Sequence, residues 1–138
     1  MSATTRTPIT RPAAGSNNLK RAEIYLENAE RLKKEAEDIK DRKITDEQIK
    51  EQILDVIADL NFTESCFSAL YWDGTMRTIL IMPTENELLQ DRGYKIAMTP
   101  QERTTFREKG GEIKSRRLEV LELAVELTGW GVKNGFIA

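Results

Sequence analysis

The chain has 138 residues, 39% of them hydrophobic and 32% charged, with a net charge of −2. That size suits one domain with a modest core, and the near-neutral balance gives no global field to recruit nucleic acid or an anionic membrane. The single cysteine, Cys66, excludes an intramolecular disulfide. The absence of histidine excludes His-dependent triads, a His pH switch and the usual Cys/His zinc site within one chain.

Residues 1–18 contain Pro8, Pro12 and Gly15 among Ser, Thr and Asn. The segment reads as an extended N-terminal arm that cannot, alone, bury enough apolar surface to offset its ordering entropy. The arm lacks an apolar signal-peptide core and no apolar run reaches the length of a membrane span, so a cytoplasmic or virion location is expected. Charge is unevenly spread. Residues 1–21 carry four bases and no acid, and residues 22–65 carry thirteen acids against seven bases. A basic arm of this kind suits the acidic face of a neighbouring copy or a phosphate backbone.

From about Leu19 to Arg42, Ala22, Tyr25, Ala29, Leu32, Ala36 and Ile39 alternate at spacings of three and four, a heptad seam in a helix. The seam serves either the next helix of the same chain or a second copy. In the second case these six residues are a candidate oligomer interface. Thr45 with Gln48 forms a capping box that starts a second helix, whose apolar face comprises Ile49, Ile53, Val56, Ile57 and Leu60. The connection is short, so the two helices form an antiparallel hairpin.

The stretch CFSALYW-DG-TMRTILIM places Asp73-Gly74 between two aromatic and β-branched runs, the pattern of a β-hairpin; a helix over 63–72 is the competing reading. Thr84 with Glu87 caps a short helix ending near Gly93, and Thr99-Pro100-Gln101-Glu102 caps another. Gly110-Gly111 breaks or bends that helix, and residues 112–128 form the most apolar one. Trp130, Phe136 and Ile137 in the loose tail dock on this core or on another copy. The fold class expected is α+β and predominantly helical: a helix hairpin, one β-hairpin and a long C-terminal helix, forming one domain over residues 19–138 behind the arm.

No residue constellation carries catalysis, and no cofactor, metal or small-molecule substrate is expected. Cys66 has no histidine to activate it, Gly110-Gly111-Glu112 lacks the Lys-Ser/Thr of a phosphate loop, and Glu87/Asp91 is a weak cation pair at best. Residues 102–117 hold six bases and three acids. With the arm, this makes Arg6, Arg11, Arg103, Arg107, Lys114, Arg116 and Arg117 the candidate contacts to nucleic acid or an acidic partner. The function expected is a non-catalytic structural or adaptor subunit of a homo-oligomer or larger assembly, such as a bacteriophage virion component, its arm lying on a neighbour. A small nucleic-acid-binding accessory or regulatory protein is the alternative.

Overall fold

The computed structural model describes residues 6–13, 15–72 and 98–138. The chain forms α1 (Asn18–Lys40), α2 (Asp46–Trp72), α3 (Pro100–Glu108) and α4 (Gly110–Lys133). Among the described residues all regular secondary structure is helical, which overturns the α+β assignment. The run read as the first hairpin strand is the last two turns of α2. Its buried positions Ile49, Ile53, Val56, Leu60, Thr63, Phe67 and Leu70 step by four and three without interruption. Phe67 and Leu70 therefore fall on the core stripe of a helix, and tertiary burial overrides the strand propensity of Cys66–Trp72. The second strand and the short helix after Pro83 lie outside the described residues.

Ion pairs and ring contacts fix the helix directions. Arg116–Glu30 (2.8 Å), Lys33–Glu119 (3.6 Å) and Lys40–Glu126 (3.2 Å) advance together along α1 and α4, so these two run parallel. Arg117 meets Glu64 at 3.0 Å while Gly131 lies against Ile53, so α4 is antiparallel to α2. Tyr25 and Phe67 meet edge to face at 6.0 Å between antiparallel α1 and α2. The three long helices bury one core, to which α3 adds Phe106 and the segment before it adds Met98.

The helix ends follow local chemistry. Thr45 and Gln48 form the reciprocal capping box, with Thr45 N donating to Oε1 at 2.9 Å and Gln48 N to Oγ1 at 3.2 Å. Thr99 and Glu102 repeat it before Pro100. The Asn17 side chain caps α1 by accepting from Lys20 N at 3.0 Å, and its amide donates to Glu102 at 3.0 Å, joining two helix starts. The backbone N–H of Thr99 and then the Asn17 amide hold the Glu102 carboxyl below the usual carboxylate range. α1 ends in a Schellman motif: Arg42 N bonds Ile39 O, Lys43 N bonds Asp38 O, and Arg42 takes φ 52°. α4 ends the same way, with Gly135 at φ 80°.

The glycine pair falls at the start of α4, and the interruption lies one residue earlier, at Lys109, which separates α3 from α4. The apolar C-terminal helix runs on to Lys133, so the first half of the supposed loose tail is helical. Phe136 stacks on Trp130 at 5.5 Å, the Arg42 guanidinium lies over both rings, and Ile137 packs on the core.

Two glycines of α4 differ in what surrounds them. A Cβ on Gly129 would meet nothing within 4 Å, whereas one on Gly131 would come within 2.6 Å of Ile137 and 2.8 Å of Ile53. Gly129→Ala is expected to raise stability by up to about 1 kcal/mol through helix propensity. Gly131→Leu is expected to cost about 1–3 kcal/mol through overpacking and to displace Ile137. Urea denaturation of the two variants checks both signs. The lowered Glu102 pKa contributes stability above the unfolded carboxylate pKa, and this is lost as pH falls through the folded value. Glu102→Gln keeps the capping geometry, so its unfolding free energy should fall less on acidification than that of the parent.

Candidate interaction surfaces

Residues 6–13 lie extended along the groove between α1 and α2. Pro8 and Pro12 fix extended backbone and lack an N–H, which suits a strand with no sheet partner. Its remaining polar groups are met by side chains. Asn28, only 4% exposed, clamps Thr10 on both sides: Thr10 N donates to Oδ1 at 3.0 Å, and Nδ2 donates to Thr10 O at 2.8 Å. Arg31 donates to Thr7 O at 2.8 Å. Arg6 forms a fork on Glu35 (2.8 and 3.0 Å) and meets Asp59 at 2.8 Å, bridging the two helices. The hydrogen bond from Arg6 to Glu35, with Asp59 beside it, holds this guanidinium still more firmly protonated than usual. Ile9 is buried in the core, and Arg11 lies 4.9 Å over the Phe62 ring. The arm reverses into α1 through a turn, where Ser16 N donates to Ala13 O at 3.1 Å and Gly15 takes φ 85°.

Between the arm and the two helices a half-open cavity of about 280 Å³ remains, lined among others by Arg11, Arg21, Tyr25, Phe62, Thr63 and Cys66. Burial pushes the Cys66 thiol up, against the pull of the Tyr25 hydroxyl, Arg11 and Arg21. Burial also raises Tyr25, with Cys66 adding to the rise and Arg21 opposing it. Cys66 therefore sits half-buried on a helix, not in a strand.

The heptad seam of α1 faces inward. Ala22, Ala29, Leu32 and Ala36 are fully buried, Ile39 is 1% exposed and Tyr25 7%, all within the chain's own core. Several of the candidate basic contacts are engaged within the chain. Arg6 and Arg11 hold the arm, Arg116 pairs with Glu30 and Glu119, Arg117 pairs with Glu64, and Arg103 donates to Met98 O at 3.3 Å. Arg107 and Lys114 lie exposed. Glu87 and Asp91 lie outside the described residues, among which no group of three potential metal ligands occurs. No helix among them is long and apolar enough to cross a membrane.

Apolar surface faces outward on α4. Leu118 (44% exposed), Leu121 (39%), Val125 (68%) and Val132 (52%) recur at three, four and seven, one stripe turned away from α1. Leu54 of α2 is 61% exposed at the level of Val132, beside the Ile53 that touches Gly131. The near-continuous apolar character of this helix suggests a central element; among the described residues its second stripe is exposed. Asn28 was legible only as an oddity, an amide on the buried side of α1 between Tyr25 and Leu32, where a polar group requires a partner.

No family model, curated protein or solved structure matches this chain.

Asn28→Ala leaves the Thr10 backbone without its clamp. Stability is expected to fall by about 1–3 kcal/mol. Tryptic cleavage after Arg6 should accelerate while α1 keeps its amide protection, as proteolysis and hydrogen exchange would report.

Proposed function

We propose that this chain is a non-catalytic structural or adaptor subunit that assembles with a second copy of itself. The observation that carries the reading is the outward stripe of α4. Leu118 and Val132 each lie seven residues from Val125, so the stripe is symmetric about that position. Two copies meeting antiparallel on a two-fold axis place Val125 on Val125 and Leu118 on Val132, the self-complementary arrangement that a closed dimer requires. Gly129, where a Cβ would meet nothing within 4 Å, allows a close approach beside the stripe.

The arm supports the same reading in a second way. Asn28, Arg31, Glu35 and Asp59 are carried by every copy, so a neighbour's groove can take the same eight residues once the arm leaves its own. The nucleic-acid alternative draws less support, because four of its seven basic residues, Arg6, Arg11, Arg116 and Arg117, are already paired with carboxylates or a ring.

Sedimentation equilibrium tests the proposal. The parent is expected to form dimers or larger species, and Val125→Glu to run as a monomer with unchanged helical circular dichroism. Deletion of residues 1–18 reports separately on arm exchange. A parent that stays monomeric at every accessible concentration would contradict the reading.

A further inference from the structure

The groove that holds residues 6–13 recognises little that is particular to them. Asn28 clamps the N–H and carbonyl of Thr10, and Arg31 donates to the carbonyl of Thr7. Those contacts go to backbone that any extended segment carries, and Thr7 and Thr10 are themselves exposed. The side chains read deepest are two. Arg6 sits between Glu35 of α1 and Asp59 of α2, and Ile9, three residues on, enters the core. Arg11 lies over Phe62 at the exposed rim. The fit is incomplete: a half-open space of about 280 Å³ remains between arm and helices, with Pro12 only half-buried on its wall. A turn, with Ser16 N on Ala13 O and Gly15 at φ 85°, joins the arm to α1. Partly exposed polar contacts of this kind contribute little individually, so the arm is displaceable.

We propose that this groove is a docking site for an extended segment of a different protein, and that the arm is its displaceable internal occupant. The contacts state the chemistry of that segment. A basic residue stands at the acid pair, an aliphatic residue follows three positions later, and the next residue keeps its N–H for Asn28, so it is not proline. Charge complementarity fixes the first requirement: Glu35 and Asp59 share one guanidinium, and removing it leaves two carboxylates without their cation. A foreign segment that makes the same contacts and also fills the remaining space outcompetes the arm. A second copy's arm only exchanges like for like. While the arm is seated, the affinity for any other segment is reduced by the fraction of grooves that stand open. The inference concerns the groove of α1 and α2, not the stripe of α4, and holds whether or not a dimer forms.

The probe is a fluorescently labelled synthetic peptide of residues 6–13, titrated into the full chain and followed by anisotropy. The parent binds it weakly, because its own arm competes. An Arg6→Ala chain, whose arm is unpinned while both acids stay in place, binds it roughly tenfold tighter. Ile9→Ala unpins the arm at a different contact and shifts affinity the same way, with circular dichroism checking that both variants keep their helices. Against the Arg6→Ala chain, a Thr10→Pro peptide and an Arg6→Ala peptide each bind about tenfold more weakly, and a Thr7→Ala peptide binds unchanged. Hydrogen exchange of the chain's own arm amides accelerates as peptide is added. The proposal is overturned by the absence of saturable binding to both unpinned chains, by equal affinity of parent and unpinned chains, by a Thr10→Pro peptide that binds as well as the original, or by arm exchange that peptide leaves unchanged. Self-association of a Val125→Glu chain that the peptide reverses would give the groove to a second copy's arm and would overturn its assignment to a different protein.

Discussion

The architecture depends on the small-residue face of α1. Ala22, Ala29 and Ala36 have no exposed surface, and their short side chains let α2 and α4 approach the same helix from two sides. Leu32, Ile39 and Tyr25 alternate with them and fill the space the alanines leave. A larger residue at any of the alanine positions would force the neighbouring helices apart, and the packed core would lose contact along the whole length of α1. The inward direction of this face also decides where other surfaces can be. With α1 enclosed by its own chain, the exposed apolar stripe among the described residues lies on α4.

The arm is held by a different physics. Only Ile9 among its described residues is buried apolar surface, so an extended backbone of this composition needs its polar groups satisfied. Asn28 supplies a donor and an acceptor in one plane, imitating a neighbouring strand for a single residue, and Arg31 meets a further carbonyl. Arg6 adds a fork between acids on two helices. Such contacts fix register more than they add stability, because ion pairs at partly exposed positions contribute little individually. Arrangement by polar register rather than apolar depth is what leaves a cavity beneath the arm.

Periodicity made much of this legible in the sequence. The α1 seam, the Thr45 and Thr99 capping boxes and the helix hairpin follow directly from residue spacing and end chemistry. The direction in which the seam faces did not follow, because heptad spacing is identical whether the partner is in the same chain or another. The Asp73-Gly74 turn signal, with the aromatic and β-branched runs on either side, points to a strand at Cys66–Trp72, against the three-four spacing that continues from Leu60 through Thr63, Phe67 and Leu70. The basic residues were visible, but their partners Glu30, Glu35, Asp59 and Glu64 are 29 to 86 residues distant in the chain. Local charge counts cannot reveal such pairs. The groove and its Asn28 clamp required knowing that the arm returns along α1 after a single turn.

Amide hydrogen exchange of residues 22–39 across a protein dilution series tests the central claim most directly, namely that the α1 face is enclosed by its own chain. Protection that is the same at every concentration, down to that of the single chain, is the predicted result. Loss of protection in step with dissociation would mean that the seam is completed by another copy, and would contradict the account.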